Sequence, residues 1–536
     1  MKSILIGLCL IFSTFISAQE LVVGWGQCYG ADYYHSKAYS LEVLPNENTV
    51  ISLAVTENNN AFSNYHGEAD AWVVVFDSFG NIINERCFGG SDGDLFLDIE
   101  THEDYVYFVG QTMSTDGDVQ SDPVGGYYNI WIVKTDLDLN ILWEKQYGCV
   151  GTQSLDAAKV TPSGGLIFVM DFGGAAGGDV SEYYGESDIW VCEINPNGDI
   201  IWEKTLGNES YQNSENIFLK DDGTCIVLGA TNSIGGMIEG DFHGGSDIWL
   251  VALDPITHDI IWQGCYGGSN MDIVQNIIPY GTGYYVLSMT KSVDGNISNN
   301  HSDRLDAWLF EISSNGEIIW SKCFGGTRDE TFRNAFFTED ENVLIFGATN
   351  SIDGDVNQTH CPYANCYYNT WVVELNSDRE IIWNKVVGPI GLDSVYETNA
   401  IKRVGERDFI ISAIIHDPDN HSGDVDCEPY PINNGQSAWV FRLYDPTTDI
   451  ETLPRESEIS TYPNPSNNQV VFELPHNSQT SHLTIINRLG QEITTIQIQP
   501  YQEKIVWNCN HQPNGLYFYQ TEIEGVIYTG KVMVME

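Results

Sequence analysis

Short acidic turns supply the first chemistry in this sequence. Gly110-Gln-Thr-Met-Ser-Thr-Asp-Gly-Asp118, Gly347-Ala-Thr-Asn-Ser-Ile-Asp-Gly-Asp355 and Thr290-Lys-Ser-Val-Asp-Gly-Asn296 each set oxygen donors around a glycine. Hard oxygen ligands at a sharp glycine turn suit Ca²⁺. Asp116, Asp118, Asp294, Asp353 and Asp355 are therefore the candidate metal ligands, with Asp179 and Asp424 weaker members, and calcium is the one cofactor they suggest. They lack the twelve-residue spacing and closing Glu of an EF-hand. The competing reading is a solvated turn in which Asp and Gly serve backbone geometry.

A second chemistry is acid–base cleavage of glycosidic bonds, which needs two carboxyl groups. With 75 Asp+Glu in 536 residues, such pairs are unavoidable and abundance alone assigns none. An active site should break any internal repeat. The irregular inserts are 357–369 and 417–436; His360 and His421 fall in them and His416 stands immediately before the second, and all three read as loop histidines. No Ser-His-Asp order, glycine-rich phosphate loop or zinc spacing is present, so no catalytic residue is assigned. Of twelve cysteines, Cys361 and Cys366, in Cys-Pro-Tyr-Ala-Asn-Cys, form the candidate disulfide. Cys28, Cys87, Cys265 and Cys323 share one repeated position and read as small core residues.

The elements that carry these residues come from a repeat. Trp72, Trp131, Trp190, Trp249, Trp308, Trp371 and Trp439 recur at spacings of 59, 59, 59, 59, 63 and 68, in contexts such as Asp188-Ile-Trp190 and Asp306-Ala-Trp308. Trp143, Trp202, Trp262, Trp320 and Trp383 follow about a dozen residues later, with Asn84 in place of one. Seven copies at this period fix a repeat architecture. Trp25-Gly-Gln-Cys-Tyr-Gly30 is the second half of a unit without its first, and the copy at Ser437–Ile450 has the first half alone. The two ends complete each other, so the array closes into a ring, as β-propellers do to protect their sheet edges.

Each unit reads as four strands. In the third, Asp156–Thr161 is the inner strand A, Gly165–Asp171 strand B, Asp188–Ile194 strand C and Asp199–Thr205 the outer strand D. Asn195-Pro-Asn-Gly198 and Ser314-Asn-Gly316 are hairpin turns. The Trp pairs are expected to pack between blades. The long acidic B–C loops and the D–A loops share one face, where binding usually sits.

Composition bounds the partners. The formal net charge is −52, from 23 Lys+Arg against 75 Asp+Glu. That excludes nucleic acid, which needs cationic contacts to phosphate, and docking on an anionic bilayer. Lys2, the apolar run Ile4–Ile16 and Ser17-Ala18-Gln19 form a secretory signal peptide, residues 1–18, with cleavage after Ala18. No later stretch is apolar enough to span a membrane.

After Ile450 the repeat stops. Residues 451–460 read as a linker, and 461–536 as a small β-sandwich with short alternating strands. Thr461-Tyr-Pro-Asn-Pro465, Leu483-Thr-Ile-Ile-Asn-Arg-Leu-Gly490, Pro513-Asn-Gly-Leu-Tyr-Phe518 and Lys531-Val-Met-Val-Met-Glu536 punctuate it. These residues resemble the type A C-terminal sorting domain of the Bacteroidota type IX secretion system. The resemblance makes Tyr462, Pro463, Asn464, Pro465, Gly490, Asn514, Gly515, Tyr517 and Lys531 the sorting signal, and the secretion machinery a partner. It implies passage through the periplasm and across the outer membrane, to the cell surface or beyond. The repeats are likewise similar to propeller repeats of secreted Bacteroidota proteins.

The expectation is an all-β chain: a seven-bladed propeller over 19–450 with a C-terminal sandwich, acting as an exported binding or adhesion protein for an extracellular glycan or protein. The alternative is an extracellular polysaccharide hydrolase or lyase working on the B–C and D–A loop face. Residues 19–450 carry net −48 and 451–536 net −5, so the acidity belongs to the ring.

Overall fold

The computed structural model describes residues 21–29, 38–56, 64–356, 368–388, 395–416, 424–425, 436–446, 459–464, 466, 468–475, 480–487, 492–502, 504–510, 512–513, 515–523 and 526–535. The Ala18 cleavage site, His360, His421, Cys361, Cys366, Pro465, Gly490 and Asn514 lie outside them, as does the His416 side chain. The chain divides into two compact units, Met1–Asp445 and Pro446–Glu536.

The first unit holds seven antiparallel four-stranded sheets. Blades 1 to 6 each use four consecutive strands. Blade 3, for example, runs Thr152–Val160, Leu166–Gly173, Asp188–Ile194 and Ile200–Leu206. Its inner strand starts four residues before the expected Asp156. Blade 7 takes three strands from the end of the ring, Val395–Gly405, Asp408–His416 and Gln436–Tyr444, and its outer strand from the start, Val22–Tyr29. Val22 pairs with Tyr444 and Cys28 with Trp439, which closes the ring.

The strand-C tryptophans are at most 6% exposed and each sits in one of seven clusters shared by adjacent blades. Trp190, for example, packs with Tyr107, Val109 and Ile132 of blade 2. In blades 1 to 6 their indole N–H groups are satisfied across the sheet, Trp131 by Glu144 at 2.9 Å and Trp308 by Ser321 at 2.8 Å. The preceding Asp caps its own loop: Asp188 Oδ2 accepts from the backbone N–H of Tyr184 and of Gly185. The outer tryptophans lie against the next blade's C–D turn, at a left-handed residue. This is Gly80 over Trp25, Gly198 over Trp143 and Gly316 over Trp262, where an added Cβ would meet the indole. Blade 4 has a turn one residue longer and puts His258 there, stacked on Trp202 at 4.2 Å.

Cys87, Cys265 and Cys323 are free and buried, as their shared position suggests. Cys28 departs from that expectation and is disulfide-bonded. It stands on the ring-closing strand, less enclosed than its counterparts, and its partner lies outside the described residues.

The second unit is a sandwich of a three-stranded sheet, Ser460–Tyr462, Gln469–Glu473 and Lys504–Asn508, and a four-stranded sheet, Ser481–Asn487, Glu492–Ile498, Gly515–Ile523 and Val526–Val534. Val470, Phe472, Trp507, Tyr517 and Tyr519 lie in its core.

Candidate functional site: the central channel and its loop face

The inner strands place the site. In blades 1 to 6 each carries a register shift at one residue, and a bulge re-aims a side chain that regular alternation would send elsewhere. The bulged residues are Tyr39, Leu97, Asp156, Glu215, Gln275 and Arg333 in blades 1 to 6. All six line one cavity of about 520 Å³ in the middle of the ring. They recur at 58 to 60 residues, the period of the tryptophans, yet no two are alike. The bulge lies in the first half of the strand, nearer the B–C and D–A loops, so these side chains form the loop-face mouth of the channel.

In every one of these six blades except blade 3, where it is Ala157, the next residue along the strand helps stitch the ring together. Asn216 donates to the Gln275 carbonyl at 3.2 Å and Asn276 to Asn334 Oδ1 at 3.4 Å. Asp98 accepts from Ala158 N–H at 2.9 Å and from the Ser40 hydroxyl at 3.2 Å. Deeper in the channel, Lys402 pairs with Glu42 and Lys159 with Glu100. The wall in blades 3 and 4 is acidic. Ser214 Oγ lies 2.6 Å from Asp156 Oδ2 and 2.9 Å from Asp171 Oδ1, and its N–H donates to Asp171 at 2.6 Å. One hydroxyl has one hydrogen to give, so a carboxyl beside it must hold a proton. Burial drives that proton up: it raises Asp171 to about 6 and Asp156 in the same direction, with Asp171 also raising Asp156. Burial and then the Asp171 charge raise Glu215 to about 7, against the Arg333 guanidinium.

The loop acids singled out from sequence accept hydrogen bonds that pin the loops of the same face. Asp116, Asp294 and Asp353 accept from the backbone N–H of Ser91, Ser269 and Thr327 at 2.7, 2.7 and 2.8 Å. Those donors follow the Gly-Gly doublets of the neighbouring D–A loop. A Cβ on Gly90, Gly268 or Gly326 would meet the Asp-Gly turn at about 2.5 Å, so only glycine admits it. Asp118 accepts from Arg86 at 2.8 Å. Asp355, Asp179 and Asp424 accept from the N–H of Gly325, Gly148 and Gly388, each at 3.1 Å. Each candidate thus spends an oxygen on pinning a loop. Among the described residues no group of three or more His, Cys, Asp or Glu is placed to hold a metal ion.

In the sandwich, Asn464 Nδ2 donates to the Lys531 carbonyl at 3.0 Å and its Oδ1 accepts from Met533 N–H at 2.9 Å. Tyr462 shares Glu473 with Lys504, and the Tyr517 hydroxyl donates to the Pro513 carbonyl at 2.8 Å. The Tyr-Pro-Asn and Lys531 segments, distant in sequence, are brought side by side.

Residues 460–535 match the secretion system C-terminal sorting domain family. The chain is therefore exported by the type IX system and ends outside the cell or on its surface, with the secretion machinery as a partner. No helix among the described residues is long and apolar enough to cross a membrane. No curated protein matches the sequence. Solved structures similar in outline include a Kuenenia stuttgartiensis hydrazine synthase, 8% identical over 71% of this chain and 94% of that one, with TM-score 0.39. A Synechocystis apocarotenoid oxygenase is 10% identical over 74% and 88%, with TM-score 0.38. The parainfluenza virus 5 hemagglutinin-neuraminidase is 9% identical over 69% and 94%, with TM-score 0.30.

Proposed function

We propose that this chain is an exported binding propeller whose ligand seat is the loop-face mouth of the central channel. One observation carries the reading. The tryptophans, turns and loop pins repeat from blade to blade, whereas the bulged inner-strand position reads Tyr39, Leu97, Asp156, Glu215, Gln275 and Arg333. Structural roles that repeat with the blades need the same residue each time. A channel that meets one asymmetric ligand needs a different residue on each wall. The calcium reading of the loop acids is a separate question, decided by the salt comparison below.

The second reading is an extracellular polysaccharide hydrolase or lyase on this face. What favours it is that Asp171 and Glu215 titrate near 6 and 7, the range useful to a general acid or base. The test is the labelled full chain on glycan and protein arrays, beside Asp156→Asn with Glu215→Gln. Saturable binding that the double variant loses, with no shortening of a bound polymer, is expected. Turnover of the polymer favours the hydrolase, and silence on both arrays overturns the binding reading.

A further inference from the structure

Exposed tyrosines gather over one sector of the loop face. Tyr127, Tyr128, Tyr184 and Tyr211 are 67, 36, 39 and 55% exposed. They stand on the B–C loops of blades 2 and 3 and on the D–A loop that enters blade 4. Tyr127 and Tyr128 meet edge to face at 4.9 Å. The loops that carry the rings touch one another. Gly125 abuts Val150, Gly178 abuts Val124, and Gly185 lies against the Asn208 carbonyl. Ser187 bridges to Tyr211. The patch is therefore one surface across three blades.

Segments 148–151, 174–187 and 207–211 of this sector adjoin the strands that carry the acids. Tyr211 precedes Glu215 by four residues on blade 4's inner strand, roughly 13 Å at the rise of an extended chain. Asp171 stands two residues before the end of the strand that leads to the blade 3 loop, and Asp156 stands four residues after Thr152, where the inner strand begins. The acid side chains are thus the inner end of the tyrosine surface. Segments 113–128, 148–151, 174–187 and 207–211 contain no Lys or Arg.

Each feature narrows the occupant. Tyrosine offers a broad, rigid, amphipathic ring at small conformational cost. Carboxylates accept hydrogen bonds from hydroxyl groups and, when protonated, donate one. The loop segments carry acids and no Lys or Arg, which repels polyanions, while in the channel the Arg333 guanidinium is set against Glu215. A mouth opening into about 520 Å³ admits a chain end and not the surface of a folded protein. We propose that this sector binds a neutral polysaccharide, its sugars stacked on Tyr127, Tyr128, Tyr184 and Tyr211 and its end hydrogen-bonded to Asp156 and Glu215 at the channel mouth. The proposal rests on the binding reading above and adds the ligand class.

The experiment is affinity electrophoresis and calorimetry of the full chain with laminarin, xylan, mannan and alginate, beside a protein array. Binding to at least one of the three neutral polymers is expected, with none to alginate at the same salt. Tyr127→Ala with Tyr211→Ala should weaken it at least tenfold at unchanged melting temperature, because both rings are solvent-facing. Asp156→Asn with Glu215→Gln should weaken short oligosaccharides more than the polymer. Binding to alginate alone, or affinity indifferent to the tyrosine pair, overturns the proposal. Capture on the protein array without any neutral polymer overturns the glycan class and leaves the binding propeller standing. Silence on every arm overturns both.

Discussion

Titration of the acidic wall gives a measurable signature. Asp171 and Glu215 sit at about 6 and 7 in the fold, above their ordinary 3.8 and 4.5, and burial is the first cause of both shifts. Between about pH 4 and 7 the native chain therefore holds protons that the unfolded chain has released. Stability from these groups is full below pH 4 and is lost as pH rises through 7. The melting temperature should be higher at pH 5 than at pH 8, and Asp156→Asn with Glu215→Gln should flatten part of that slope. About 1.4 kcal/mol for each pK unit is a ceiling, since water in the channel screens these groups. An unaltered slope in the double variant would show that the wall is not the source. The loop acids give a second test. Asp116, Asp294 and Asp353 already accept backbone N–H groups. Melting in millimolar Ca²⁺ should then match melting in NaCl of equal ionic strength, because screening of a ring at net −48 is all either salt supplies. A Ca²⁺-specific rise that Asp353→Ala with Asp355→Ala removes would instead establish bound calcium.

Strand by strand, the ring depends on its first element. Val22–Tyr29 covers the open edge of blade 7, and Trp25 donates to the Ser78 carbonyl at 3.0 Å while packing on Phe76 of blade 1. Trp25→Ala should cost about 2–3 kcal/mol, below the full cost of a wholly buried Trp. Removing residues 19–31 should go further and broaden or abolish the single melting transition; an unchanged melt would mean the ring closes by other contacts. This element was legible because its Trp-Gly-Gln-Cys-Tyr-Gly run copies later units, and turn residues marked the hairpins around it. The Asp-Gly-Asp loops were legible in position and opaque in role, since their partners are Gly-Gly doublets on a neighbouring connection, some 25 residues away. The channel was missed for a different reason. A bulge shifts the side-chain alternation by one residue, so period-two reading puts Asp156 and Glu215 on the wrong face. The usable signal was the aligned column itself, where residues spaced like the tryptophans refuse to agree. Cys28 misled because its sequence position is that of core cysteines, while its blade is the one assembled from both ends of the ring.

At the scale of the whole molecule, two units serve two tasks. The propeller unit ends at Asp445 and the sandwich, with its own core from Ile459 to Val534, begins after it. Among the described residues the sandwich core is built from its own side chains, so each unit should fold without its neighbour. A chain ending at Ile450 should melt like the ring of the intact protein and keep its affinity for whatever the channel mouth binds. Export should separate the two. The 460–535 segment is the sorting domain, and the contacts of Asn464 with Lys531 and Met533 hold its first and last segments in one place. In the native host the truncated chain should therefore accumulate in the periplasm, folded and ligand-competent. Asn464→Ala in the full chain removes two hydrogen bonds at an exposed site, about 1–2 kcal/mol from a small sandwich. It should lower secretion while leaving the melting of the ring unchanged. Fractionation of cells expressing the three chains decides the matter: surface or medium for the intact protein, periplasm for the truncation, and a mixture for Asn464→Ala. Delivery of the truncated chain to the surface at the intact level would place the export signal in the ring.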